Sequence, residues 1–183
     1  EMAEQRKYTR TTKSAVKSKP VDEYGHLQPQ AIDFEEAVLG ALMIEKDAYS
    51  IVSEILRPES FYDHKHQLLY KAITTLAMRQ QPIDILTVAE QLRSTGELEE
   101  AGGPFYITQL SGKVASSAHI EYHARIIAQK FLARELITFT SNIQTKAFDA
   151  TQDVDDLMQE AEGKLFEISQ KNMKKDYTQI NPV

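Results

Sequence analysis

The chain has 183 residues, a net charge of −6, 42% hydrophobic residues, no cysteine and no tryptophan. That length suits one medium domain with extensions, and the missing cysteine excludes disulfides, a thiolate nucleophile and cysteine-ligated metal. The longest apolar run, Ala37 to Ile44, is far short of the ~20 residues of a membrane span, and no charged-then-apolar signal peptide opens the chain.

Residues 5–20 carry six basic side chains (Arg6, Lys7, Arg10, Lys13, Lys17, Lys19) and no acid. With few large apolar groups, residues 1–30 read as a disordered basic tail. The remaining body is acidic, which disfavours nucleic-acid binding by charge alone. Ala, Leu, Glu, Gln and Lys dominate and favour helix.

Asp33 reads as the cap of a first helix, with Glu36 completing a capping box. Phe34, Ala37, Val38, Ala41 and Leu42 share one face of it. A second short helix follows Asp47, with Ala48, Ile51, Val52 and Ile55 as its stripe. Pro58 ends that helix and starts a tight turn through Phe61. Asp63 caps a third helix carrying Leu69, Ala72, Ile73 and Leu76, widened by Leu68 and Tyr70. Asp84 caps a fourth, whose Leu86, Ala89 and Leu92 turn inward before Gly96 closes it. Gly102-Gly103-Pro104 turns into a fifth, which carries Phe105, Tyr106, Ile107 and Leu110.

From Ser117, read as a cap, no Pro or Gly interrupts the chain until Gly163. Ile120, Ala124, Ile127, Phe131, Leu136, Phe139, Ile143 and Ala147 extend one helix to about Phe148. Some 30 residues make a rod of about 45 Å. Asp149 to Asp153 reverses the chain, and Val154, Leu157, Met158, Ala161, Leu165 and Ile168 line a returning helix. The expected fold is therefore all-α: a small globular helical bundle over 31–124, followed by a long antiparallel helical hairpin over 125–172. Residues 173–183 read as the start of a linker. Ile126, Leu132, Ile137 and Phe166 lie off the main stripes, so the hairpin is expected to dock on a second copy. Leu136, Leu157, Leu165 and Ile168 are the expected contacts.

No catalytic, cofactor or metal site emerges. A phosphate loop needs G-x-x-x-x-G-K-[S/T]; before Gly112-Lys113 the required glycine falls at Ile107, and Val114 follows the lysine. His119 and His123 stand four apart, but no H-E-x-x-H arrangement accompanies them, and they read as surface or structural histidines. Glu35-Glu36, Glu99-Glu100 and Asp155-Asp156 are adjacent pairs, which read as caps and solvated faces.

The run FYDHKHQLLYKAITTLAMRQQPIDILTVAEQLRSTGELEEAGG (Phe61 to Gly103), with IDFEEAVLGALM before it and EYHARIIAQKFLARELI after it, resembles the N-terminal domain of DnaB-type bacterial replicative helicases. The likeness spans roughly Gln28 to Lys171. His66 falls within the family's recurring FY-x-x-x-H segment, and the resemblance implies a hydrogen bond there that fixes the turn into the third helix. One departure stands before the long helix, where the family usually has a Pro-Ser/Thr-Ala-Ala-Asn run and this chain has Val114 to Ile120. The resemblance implies a collar domain whose hairpins pair subunits into dimers, three of which form a ring. It implies docking of the primase C-terminal domain, for which Tyr106, Ile137, Phe139 and Ile143 are candidates. It further implies a helicase loader as partner, single-stranded DNA contact only through the full ring, a cytoplasmic replisome setting, and ATP and magnesium bound by a motor domain C-terminal to this region. A stand-alone oligomerisation adaptor and the helicase-binding domain of primase are the alternative readings.

Overall fold

In the computed structural model, residues 25–113 and 117–176 are described. Their helices are α1 (Ile32–Ile44), α2 (Ala48–Val52), α3 (His64–Met78), α4 (Ile85–Thr95), α5 (Gly103–Ser111), α6 (Ile120–Ala147) and α7 (Val154–Asp176). Tight 3-10 turns at Pro58–Ser60 and Ser117–His119 precede α3 and α6. The expected basic tail up to residue 24 and the departure at residues 114–116 lie outside the described residues.

α1 is the central helix, packed against α3, α5 and α6. Every residue from Val38 to Met43 is buried, so α1 is apolar all round where it crosses the core. The face expected over Phe34, Ala37, Val38, Ala41 and Leu42 is thus only part of what α1 buries, since Leu39, Gly40 and Met43 are buried as well. Phe61, Leu69, Tyr70, Ile73, Val88, Leu92, Ile107, Leu110 and Ile127 close the core around it.

Local signals set most boundaries. Asp63 accepts from the Lys65 amide at 2.9 Å. Asp84 accepts from the Thr87 amide at 2.8 Å, and the Thr87 hydroxyl accepts from the Asp84 amide at 2.9 Å, a reciprocal box. Gly96 closes α4 in the left-handed region at φ 74°. Asp153 caps α7 through the Asp156 amide at 3.0 Å. Asp149 accepts from the Thr151 hydroxyl and amide in the reversing loop, and those bonds hold its carboxyl below the usual range.

Four expectations are corrected. α1 starts earlier than Asp33: its cap is Ala31, and Asp33 sits exposed in the first turn, where a carboxylate complements the helix dipole. Leu86 is 80% exposed, because the inward stripe of α4 runs through Val88, Ala89 and Leu92. Phe105 is likewise 81% exposed, while Ile107 and Leu110 face the core. Ser117 opens a 3-10 turn, and α6 begins only at Ile120.

α6 has 28 residues, about 42 Å of rise. Its first turns belong to the globular core through Ile120, Ala124 and Ile127, and from Ala128 on it runs beside α7. No chain break separates body and hairpin, since one helix serves both. α7 stays helical through Asp176, past the expected start of the linker at residue 173.

α3 ends at a non-glycine residue in the left-handed region, Gln80 at φ 54°. The Gln81 amide closes that end onto the Leu76 carbonyl at 2.9 Å. A side chain there costs about 1 kcal/mol of strain. Gln80→Gly is therefore expected to stabilise the fold by about 0.5 kcal/mol, after its greater unfolded-state entropy is subtracted. Urea midpoints measure this, and a lowered midpoint contradicts it.

Candidate interaction surface

The surface is the hairpin, and a buried polar cluster positions its base. Glu35 on α1 and His66 on α3 are 1% and 0% exposed. His66 Nδ1 donates to Glu35 Oε1 at 2.8 Å. The same carboxylate accepts from the backbone amides of Tyr62 at 2.8 Å and Asp63 at 3.3 Å. His66 Nε2 lies in hydrogen-bond contact with the Tyr106 hydroxyl at 2.6 Å. Tyr106 stays a phenol: burial, then the carboxylates of Glu36, Asp63 and Glu35, push its pKa well above the ordinary value. Gly102 makes room for that ring, since a Cβ there lies 2.5 Å from it.

From the other side, Arg134 of α6 donates to the Pro29 carbonyl at 2.7 Å and the Ser60 carbonyl at 3.0 Å. Its guanidinium stands 5.3 Å from the Tyr62 ring and 5.7 Å from the Phe131 ring. Burial lowers its pKa, and Glu35 and Tyr62 oppose that shift. The turn from Ser60 to Asp63 thus has its carbonyl held by a cation and its amides held by an anion. This answers where the buried backbone polar groups of the turn go. The same Arg134 fixes the point at which α6 leaves the body.

Sequence reasoning identified His66 and its role at this turn. It placed Glu35 on a solvated face, and that is corrected: Glu35 is the buried acceptor of the cluster. Neither Glu35 nor Arg134 carries a local signal, because their partners lie 27 to 105 residues away in the chain.

The hairpin burial differs from expectation in a specific way. Leu157 and Ile168, expected at the self-association face, are 6% and 4% exposed in the single chain. They lie covered within the hairpin, so they are not free for another molecule. Leu136 and Leu165 are 37% and 46% exposed. Of the other candidates, Phe139 and Ile143 are half-buried and line a groove between α6 and α7 of about 560 Å³. Ile137 is exposed and outside that groove. Tyr106 is set apart from them, its hydroxyl engaged by His66 and its ring covered by Lys65 Nζ at 4.3 Å. Phe148, Val154, Met158 and Phe166 are further exposed apolar side chains. Among the described residues no group of three or more His, Asp or Glu is placed to hold a metal ion, and no helix is long and apolar enough to cross a membrane.

Fold and surface together define an all-helical domain with a projecting hairpin. Residues 27–129 match the DnaB-like helicase N terminal domain family. The replicative DNA helicase DnaB of Rhodothermus marinus is 43% identical over 87% of this chain, and the replicative DNA helicase DnaC of Bacillus subtilis is 37% identical over 86%. The chain spans 17% and 35% of the lengths of those two proteins. The crystal structure of the N-terminal domain of DnaB helicase from Mycobacterium tuberculosis superposes with a TM-score of 0.72 at 34% identity, covering 76% of this chain and 98% of that one. A DnaB-like replicative helicase solved for its interactions with primase gives a TM-score of 0.61 at 28% identity, covering 74% of this chain and 30% of that one. The chain belongs to the DnaB-like helicase N-terminal domain family.

Two outcomes follow from the cluster. Glu35→Ala leaves His66 and two buried amides without their acceptor and is expected to cost about 3–5 kcal/mol. Urea denaturation measures this, and a loss under about 1 kcal/mol contradicts the assigned role. The second concerns pH. Tyr70, whose hydroxyl donates to the Leu56 carbonyl at 3.0 Å, is also raised by burial, then by Tyr49, from an ordinary value of 10.0. A raised folded-state value gives stability that is complete below the unfolded value and is lost as pH rises through the folded one. The urea midpoint is thus expected to fall above pH ~10, and Tyr70→Phe with Tyr106→Phe is expected to flatten that limb. An alkaline slope unchanged in the double variant contradicts this.

Proposed function

We propose that this chain is the collar of a ring-shaped replicative DNA helicase. In this reading its hairpins pair subunits into dimers, and three dimers form the ring. The collar docks the C-terminal domain of primase and so couples unwinding to primer synthesis. The parent protein unwinds duplex DNA in the cytoplasm, with ATP and magnesium held by a motor domain C-terminal to this region. A helicase loader is a further partner, and single-stranded DNA is engaged only through the full ring rather than by this acidic body.

The observation that carries the reading is a pinned body with an exposed, incompletely covered hairpin, in a chain of this family. A surface of that kind presents apolar side chains at helical spacing without a site for covalent chemistry. The relative solved for its interactions with primase supports the choice of partner.

Ile137, 41% exposed, is the candidate anchor for primase, with Phe139 and Ile143 beside it on α6. Calorimetry between this chain and the cognate primase C-terminal domain is expected to give a complex. Ile137→Ala is expected to weaken it by ~1–3 kcal/mol, about ten- to a hundredfold, with helical circular dichroism unchanged. Absence of heat and of complex, with both partners folded, contradicts primase docking.

A further inference from the structure

Gly163 stands in the middle of α7, where a glycine costs about 1 kcal/mol relative to alanine. Its backbone is not in the left-handed region, and a Cβ built on it meets nothing within 4 Å. The contrast with Gly102 is plain, because a Cβ there would enter the Tyr106 ring. No contact among the described residues accounts for a glycine at position 163.

Gly163 opens onto the groove between α6 and α7. Phe131, Phe139, Ile143 and Ile168 supply its apolar lining. Its charged lining residues, Arg134, Lys146 and Lys164 with Glu135, Glu160 and Glu167, cancel. Lys146 pairs with Glu160, and Lys164 with Glu167 at 3.5 Å. The chain as a whole carries −6, so two copies repel at most approaches. At this groove they meet no net charge. A two-fold interface presents the same strip twice, and a strip without net charge sets up no repulsion there, whereas a strongly charged foreign partner gains little from it. The hairpin also carries the exposed apolar side chains that such a groove can take, Leu136, Leu165 and Phe166 among them.

We propose that the Gly163 notch is the seat for an apolar side chain from the hairpin of a second copy of this chain, which makes Gly163 a specificity-determining residue of the self-association interface. The proposal rests on the self-association put forward above. It also divides the surface: Phe139 and Ile143 face the second copy, and Ile137 is left for primase.

The test is sedimentation equilibrium of the full chain and of its Gly163→Ala and Gly163→Leu variants, with urea denaturation at a concentration where each is monomeric. Both substitutions are expected to raise the monomer urea midpoint, since the added side chain enters open space on a helix. Gly163→Leu is expected to raise the dimer dissociation constant at least about tenfold. A folded Gly163→Leu variant that self-associates like the unsubstituted chain overturns the assignment of Gly163. An unsubstituted chain that stays monomeric at about 100 µM overturns the self-association itself, a different failure. Intact self-association combined with lost primase binding in Gly163→Leu overturns the choice of occupant.

Discussion

A carboxylate taken out of water must be fully engaged, and Glu35 is engaged by one imidazole and two backbone amides. Those contacts tie α1 to the first turn of α3 and to the segment entering it. Arg134 reaches the same segment from α6 and takes the carbonyl of Ser60. Three helices are thereby referenced to one short turn. The direction of the hairpin follows, because the residue that fixes the turn from outside is also the residue at which α6 leaves the body.

The two parts of the molecule differ in how they are stabilised. The body buries a continuous core around α1, with every residue from Val38 to Met43 inside. The hairpin beyond Glu135 buries only Leu157 and Ile168 among its described side chains. Two helices with so narrow a seam gain little from burial and pay for much ordering. Such an element opens locally at low cost when alone and is stabilised by mass action when a partner covers it. An open groove and a mid-helix glycine suit a surface completed by another molecule. They suit a self-contained hairpin poorly.

What the sequence made legible was local. Asp63, Asp84, Gly96 and Asp153 act within three or four residues of themselves, and each boundary they marked is where the structure has it. Pro58 opens its tight turn as expected, but it does not end α2, which stops at Val52 and leaves Ile55 beyond the helix. The helical hairpin was legible because Gly and Pro are absent over a long run. Facing was less legible. Leu86 and Phe105 each sit two positions from residues that do face the core, Val88 and Ile107, and apolarity alone did not separate them. Leu157 and Ile168 were read as an outward face because periodicity finds a stripe without saying which helix covers it. Glu35 and Arg134 were hidden for another reason: their partners are distant in the chain, so an acidic pair and a basic residue looked like solvated surface. His66 was legible only in part, as a turn-fixing residue without its acceptor.

The most direct measure of the Glu35 clamp is native-state hydrogen exchange at the amides of Tyr62 and Asp63, the two donors to that carboxylate. Although they lie in a turn rather than within a helix, they are expected to exchange as slowly as core amides of α3 such as Leu69 and Ile73, through global opening. Exchange at the rate of an exposed loop amide such as Ala150 would show that the turn opens on its own, and would contradict the account of a body held together at that point.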